Sequence, residues 1–497
     1  MMTEADPHQT RSITIDRGAR WRAFWVCVSV SALTILDISK VNVGLHSIEQ
    51  ALGGGSTELQ LVVSGYILAF GLTLVPFGRI GDQRSRRRLM IGGLIGFLVT
   101  SALCALSPNV YFLIVARFLQ GVAAGVQMPQ VMGTIQQLFT GRERATAFGL
   151  FGATIGLATA FGPTIGGLLI AVGGPTDGWR WIFWMNVPLS LVVVILAITV
   201  LPEVRRPSTA KLSLDPVGLV LFALSVVSLM LPFLFTTGEP TDSPLRWWLL
   251  VPFVLFIGGF IAWERRYAAR GGSPLVPLRL FGISSWRNGT LLQTLYFAAL
   301  PSVFLLTALF LQTGVGLQAV FAGMVTIGFA LASAYSSYLG GRLVQRYGRT
   351  LVIWGLGLVL VTIVGLVVIA HTASDAATPW LMAGIMVVGG VGGGFVISPN
   401  QTLTLAEIPP SEGGLAGSVG QLGQRIGNAI GAAIALSLFY STIYASDPSG
   451  NVDSATFHDA YGNGIIAAGV LVALALAVAL VDQSSRRRAE RAGAREA

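Results

Sequence analysis

The sequence predicts an all-α integral membrane protein with fourteen transmembrane helices, and three observations carry that prediction. Hydrophobic residues make up 53% of the 497 positions and charged residues only 11%, against roughly 25% charged in soluble domains. Fourteen apolar runs, separated by charged or Gly/Pro-rich breaks, meet the need for about 20 apolar residues per bilayer crossing. With every run counted as a crossing and the amino terminus cytoplasmic, 27 of the 32 Lys and Arg fall on the cytoplasmic side, 2 (Arg180 and Arg246) fall outside, and three (Lys40, Arg117 and Arg425) lie within spans. Such an asymmetry satisfies the positive-inside rule only when no crossing is missed.

The spans follow in order. Span 1 starts near Arg22; the run from Phe24 to Leu36 has 13 residues, too few to cross, so it continues through Asp37 to about Leu45. Span 2 starts near Glu58 and ends at a basic cluster, and span 3 starts near Leu89 just after it. Span 4 starts near Asn109, span 5 near Ala145 beyond Arg142 and Arg144, and span 6 near Trp179. Spans 7 and 8 start near Leu214 and Arg246, and spans 9, 10 and 11 near Trp286, Gln318 and Leu351. Spans 12, 13 and 14 start near Pro379, Gly413 and Tyr461.

An internal repeat orders these spans. Gly78-Arg79-Ile80-Gly81-Asp82-Gln83-Arg84-Ser85-Arg86 after span 2 resembles Gly341-Arg342-Leu343-Val344-Gln345-Arg346-Tyr347-Gly348-Arg349 after span 10, and spans 1, 4 and 5 recur at spans 9, 12 and 13. The expected organisation is a cytoplasmic segment 1–21, a six-helix bundle 22–201, two inserted helices with linkers 202–285, a second bundle 286–482 and a basic tail 483–497. Repeated six-helix halves around a midplane cavity are a transporter design.

The net charge of +9 raises nucleic acid as a partner. Its dispersal over cytoplasmic loops and the tail argues instead for anionic lipid, and no nucleic acid is expected. Residues 1–20 contain no apolar stretch ahead of a cleavage site, so no removable signal peptide is expected. Cys27 and Cys104 lie far apart in apolar runs and are read as packing or lipid-facing residues. The polar stretch 447–459 reads as a solvated external loop. The four histidines, His8, His46, His371 and His458, are isolated, and neither HExxH nor GxSxG nor a Gly-Lys-Ser/Thr element occurs. A polytopic enzyme, a metal site and a nucleotide-driven pump are therefore disfavoured.

Charges within the bilayer are functional candidates by default, because each costs about 2.5–3.5 kcal/mol even on lenient scales. Asp37 sits about 12 Å and Arg117 about 9 Å from the outer ends expected for their spans, so the two match in depth and can face one cavity. Thr34, Asp37, Lys40 and Gly44 form one helical stripe, which places Lys40 to pair with Asp37. Gln421, Gln424, Arg425 and Asn428 form a second polar stripe on span 13, expected to line the other half of the cavity together with Gln120 and Thr34 on the first half. Glycine makes up 61 of the 497 residues, and the pairs Gly121/Gly125, Gly162/Gly166 and Gly427/Gly431 mark close helix contacts. Gly162-Pro163-Thr164-Ile165-Gly166-Gly167 predicts a bend in span 5 that can serve as a gate.

Taken together, these motifs resemble the major facilitator superfamily, specifically its fourteen-span drug/proton antiporter branch. Gly78, Asp82, Arg86 and Arg87 match its loop-2/3 signature, with departures at Gln83 and Ser85, and Gly341 and Arg349 belong to the repeat of that loop. Arg117-Phe118-Leu119-Gln120-Gly121 is similar to the span-4 motif whose arginine is implicated in proton transfer. Gly149, Gly162, Pro163, Gly166 and Gly167 fit the span-5 antiporter motif, with Ala158 where glycine is usual. Leu36-Asp37-Ile38-Ser39-Lys40-Val41-Asn42-Val43 is similar to the span-1 motif with its proton-binding aspartate, and Trp179 to Pro188 to the start of span 6. The segments Asp215-Pro216-Val217-Gly218 and Pro274 to Phe281 also fit the branch.

The resemblance implies the major facilitator fold and a monomeric exporter of small amphipathic compounds. It would sit in the cytoplasmic (inner) membrane with both termini cytoplasmic, and the proton motive force would drive it without a bound cofactor. Asp37, Arg117 and Lys40 are then the proton-coupling residues, and the loop and span-5 residues the conformational gate. Lys40 stands where the family usually has an apolar residue, and Gln424-Arg425 reverses the usual order. Because Asp37 is the one acidic residue placed well inside the bilayer and Lys40 offsets it, divalent cationic dyes are expected to be poor cargo, and neutral, amphipathic or anionic compounds favoured. A dedicated exporter of a natural product or lipid is the alternative.

Overall fold

The computed structural model describes residues 16–174, 176–203, 215–238, 242–447 and 453–496. Among them it holds fourteen helices long and apolar enough to cross a membrane. Spans 1 to 6 are Arg17–Leu52, Thr57–Gln83, Arg86–Ala105, Val110–Leu138, Gly141–Gly173 and Gly178–Val200. Spans 7 and 8 are Pro216–Leu234 and Pro244–Ala269. The second set of six is Ser284–Thr313, Val320–Tyr347, Arg349–Thr372, Thr378–Thr404, Gly413–Ser446 and Ser454–Arg486. The sequence-based starts agree to within a few residues except at two places. Span 1 begins at Arg17 behind an Asp16 cap and runs on past Leu45 to Leu52, where Gly53 (φ 68°) turns the chain; its last turns expose Asn42, Glu49 and Gln50, polar residues a helix carries without an apolar run. Span 14 starts at Ser454, since Asp453 accepts hydrogen bonds from Thr456 N (3.0 Å) and Oγ1 (2.7 Å) and caps it. The external loop expected over 447–459 is thus partly helix, and residues 448–452 lie outside the described set.

Two large apolar clusters form the core. Phe24, Tyr66, Phe70, Phe97, Phe139 and Phe148 belong to one, which also takes in Trp286, Leu415 and Leu422 across the seam, and Tyr296, Phe310, Leu356, Tyr461 and Val472 belong to the other, within the second half. Both cysteines are buried packing residues. Glycine decides where backbones touch. A Cβ on Gly121 would lie 2.4 Å from Tyr66 O, and one on Gly427 would lie 2.3 Å from Thr294 O. These contacts seat span 4 on span 2 and span 13 on span 9.

The halves meet along two seams. Span 2 runs against span 13, and span 5 against span 10. Span 7 packs on both span 2 and span 13, with Gln60 Nε2 donating to Leu234 O (2.5 Å). Span 8 lies outside it, held by Trp263 Nε1 donating to the Asp215 carboxylate (2.7 Å). The inserted pair therefore covers one seam and leaves the other uncovered.

The backbone contacts at glycine generate a prediction. Gly431→Ala places a Cβ 1.7 Å from Ala298 O, whereas Gly357 has nothing within 4 Å. The first change is expected to cost about 1–3 kcal/mol and to lower the thermal-unfolding midpoint of the purified protein, and Gly357→Ala to leave that midpoint unchanged.

Candidate functional site

The first half contains a sealed polar cluster in the middle of its helices. Asp37 and Lys40 of span 1, Arg117 and Gln120 of span 4 and Asn186 of span 6 are all 0–1% exposed. Arg117 Nη1 donates to Asp37 Oδ2 (2.7 Å) and to Gln120 Oε1 (2.7 Å), and its Nε donates to Val62 O (3.3 Å). Gln120 Nε2 passes the chain to Ser101 Oγ (2.8 Å). The Arg117 guanidinium also lies 4.1 Å from the centre of the Tyr66 ring, where the π face favours a cation. A buried charge is tolerated only when paired and hydrogen-bonded, and this one is both.

Lys40 does not pair directly with Asp37, contrary to the expectation from their spacing. Its Nζ donates to Asn186 Oδ1 (2.7 Å) and Ile182 O (2.9 Å), while Asn186 Nδ2 donates to Asp37 Oδ1 (2.6 Å). The cause lies in span 6. Pro188 supplies no N–H to Trp184 O and crowds it, the helix breaks at Met185, and Asn186 and Ile182 turn toward span 1 beside the break. Lys40 therefore fixes which end of the Asn186 amide meets the carboxylate. Both Asp37 oxygens face only N–H donors, the arrangement of an ionised carboxylate.

Several sequence-predicted residues build this cluster without belonging to it. A Cβ on Gly162 would lie 2.3 Å from Ser39 Cβ, and one on Gly166 would lie 3.0 Å from Lys40 O, so both let span 5 press on span 1 beside the charges. Gly167 has nothing within 4 Å, and Pro163 lies inside the continuous helix of span 5. Thr34 accepts from Gln127 Nε2 (2.8 Å). Asp37 and Arg117 do not open onto a cavity here; helices enclose them on every side.

The end of the molecule carrying residues 78–88 is closed by contacts between the halves. Asp82 pairs with Arg86 (2.5 Å) and accepts from Gly414 N (3.1 Å) and Leu415 N (2.8 Å) at the start of span 13, where free N–H groups favour an anion. Arg86 donates to Pro410 O (2.9 Å), and Gln136 Nε2 to Leu405 O (3.1 Å) and Ile408 O (3.0 Å). Gly78 packs against Ser418, and Gly341 against Ala145 O and Gly149. Among the described residues, the hydrogen bonds joining the two six-helix halves all lie at this end.

Two predicted gate residues do not cross the seam. Arg87 donates to Ile198 O (2.5 Å) and lies 3.8 Å from Glu203, within the first half. Arg349, the repeat counterpart of Arg86, finds Gln345 where Asp82 stands; it binds Asp482 (2.7 Å) and Asn400 (2.5 Å) of its own half instead.

On span 13, Arg425 stacks on Phe70 of span 2 with its guanidinium carbon 4.7 Å from the ring centre. Gln421 is buried with neither amide atom hydrogen-bonded. With its amide turned so that the nitrogen faces the two carbonyls, Asn428 donates to Gln424 O (3.1 Å) and Phe297 O (2.5 Å), linking span 13 to span 9. Sequence reading missed Asn186, Tyr66, Ser101, Asn400 and Asp482 as partners of the charged residues. Asn186 carried one signal, a polar residue two positions before a proline in an apolar run.

Removing Arg117 alone leaves Asp37 buried without its cation. Arg117→Met is expected to cost about 3–5 kcal/mol, and Asp37→Asn combined with Arg117→Met to recover much of that loss, both read from thermal unfolding of the purified protein.

The sequence profile described as Major Facilitator Superfamily matches residues 27–315 and 290–496. The chain is 31% identical over 444 residues to the probable actinorhodin transporter of Streptomyces coelicolor, covering 87% of this chain and 75% of that protein. It is 30% identical over 475 residues to the puromycin resistance protein pur8 of Streptomyces alboniger, covering 93% and 92%. The fold matches that of the proton:xylose symporter XylE with a TM-score of 0.63 at 16% identity, over 93% of this chain and 95% of that one. The chain belongs to the major facilitator superfamily, as a fourteen-span member built on two six-helix halves.

Proposed function

We propose that this transporter is a proton-coupled exporter of small amphipathic compounds, working by alternating access across a cytoplasmic membrane with both termini inside. The observation that carries the reading is the buried ion pair of Asp37 with Arg117, enclosed in a single half, with no second carboxylate paired to Arg117 among the described residues. A proton on Asp37 has no acceptor among its present neighbours, so its arrival must displace Arg117 or Asn186. Either displacement alters how spans 1, 4 and 6 pack, and packed helices answer with discrete rearrangements. The asymmetric basic loops support the orientation, which makes the closed end cytoplasmic.

Export then requires the contacts of Asp82, Arg86 and Gln136 to part so that cargo enters from inside. One proton entering through about 100 mV releases roughly 2.3 kcal/mol, enough for a gradient of about fiftyfold. The names of the two Streptomyces relatives support antibiotic-like cargo. A cargo confined to one natural product is the narrower form of the same proposal.

Substrate-triggered proton release from acidified inside-out vesicles tests the reading. Wild type is expected to release protons with at least one compound of a lipophilic panel, and Asp37→Asn to release none; equal release from both removes Asp37 from the coupling. Lys40→Met removes the donor that orients the Asn186 amide toward Asp37. The pH dependence of its transport is expected to differ from that of wild type, and an unchanged dependence marks Lys40 as a packing residue.

A further inference from the structure

Of the three basic residues within the spans, only one lacks a partner. Arg117 has Asp37, and Lys40 has two oxygen acceptors. Arg425 has neither a carboxylate nor a hydrogen-bond acceptor among the described residues, although it is 8% exposed and about 18 Å along span 13 from Gly413. Its guanidinium rests on the face of Phe70, so the planar fork of N–H donors is left unused. Buried polar groups normally find partners, and an exception needs a reason.

Two further unbonded polar side chains lie on the same two helices as Arg425 and Phe70. Gln421, one turn before Arg425 on the same face of span 13, is 3% exposed with both its amide nitrogen and oxygen unbonded. Tyr66, one turn before Phe70 on span 2, is fully buried with its hydroxyl unbonded, and it is an electrostatic neighbour of Arg425. The group spans the seam between the halves, deeper in the bundle than the closed contacts of Gly78 with Ser418. It offers the guanidinium fork, an amide N–H and a phenolic O–H, and among the described residues no carboxylate pairs with Arg425 or Gln421, Asp37 beside Tyr66 being held by Arg117. Such a set receives an anion and repels a cation.

We propose that Arg425 and Gln421 form an anion-receiving subsite, so that the favoured cargo is an aromatic or otherwise amphipathic molecule carrying an oxyanion. The proposal rests on the export reading for its direction, but not for its binding chemistry. The guanidinium fork takes the two oxygens of a carboxylate in parallel, Gln421 adds a third donor, and Phe70 holds the guanidinium plane in place. Tyr66 lies under Arg117 on one side and near Arg425 on the other, so cargo that draws Arg425 away from span 2 alters the surroundings of the Asp37 pair.

Anthracene-9-carboxylate and its uncharged carboxamide, bound to the purified full-length protein in nanodiscs, test the subsite by fluorescence titration. Wild type is expected to bind the carboxylate roughly tenfold more tightly. Arg425→Gln brings the ratio to near one, and Arg425→Lys, which keeps the charge without the fork, restores part of it. A wild-type ratio near one, or a ratio unchanged in Arg425→Gln, overturns the proposal. Where Arg425→Gln fails to fold, Gln421→Leu serves, with a reduced ratio expected and an unchanged one counting against the subsite.

Currents from wild-type proteoliposomes on a supported membrane add a second readout. With proton release measured alongside to give the proton count of each, a carboxylate carried moves one charge beyond its protons and a carboxamide none, and a carboxylate that moves no charge beyond its protons overturns anionic cargo. Proton exchange for the carboxamide together with indifference to the carboxylate sinks this inference alone. Movement of neither compound goes against the export reading, while the binding ratio still decides the subsite.

Discussion

The position of Asp37 constrains much of the first half. An ionised carboxylate at that depth has no water to lean on, so the bundle must bring donors to it from separate helices. Arg117 arrives from span 4, Asn186 from the break in span 6, and Gly162 and Gly166 of span 5 let span 1 come close enough to be held. Arg117 in turn needs Gln120, Val62 O and the Tyr66 ring. A network so fully satisfied is rigid, and a single proton added to it leaves at least one group without a partner.

Charge is handled differently at the seam. At the basic end, Asp82 and Arg86 neutralise each other and still reach the other half, through the helix start at Gly414 and the carbonyl of Pro410. The second half lacks the acid, having Gln345 in its place, and its Arg349 turns inward to Asp482 and Asn400. The repeat therefore preserves the backbone contacts of Gly78 and Gly341 at both seams but places a charged latch at only one. Span 7 covers that same seam, so the charged latch and the inserted pair sit together, and the span 5/span 10 seam is left to small residues.

The two stripes read on spans 1 and 13 illustrate the two fates of polar groups in a membrane. On span 1, Thr34, Asp37 and Lys40 all find partners inside one half. On span 13, Asn428 does so, while Gln421 and Arg425 stay unbonded at the boundary between halves. Satisfied groups hold helices together, whereas Gln421 and Arg425 face the seam with their donors unused.

The order and number of the spans, the internal repeat and the depth of the buried charges follow from the sequence alone, because hydrophobic length and loop charge are local quantities that the bilayer reads directly. The near match in depth of Asp37 and Arg117 was legible for the same reason. The partner of Lys40 was not, since a helical spacing of three says which face two residues share but not what a neighbouring helix brings to that face. The break at Met185 placed Asn186 there, and Gly162 and Gly166 let span 5 close on the same stretch of span 1; both depend on how helices distant in sequence pack. Likewise the repeat signature predicted equal roles for Arg86 and Arg349, but only the packed bundle shows that one crosses the seam and the other stays within its half. Which buried polar groups lack partners is a property of three-dimensional neighbours, and no pattern along the chain contains it.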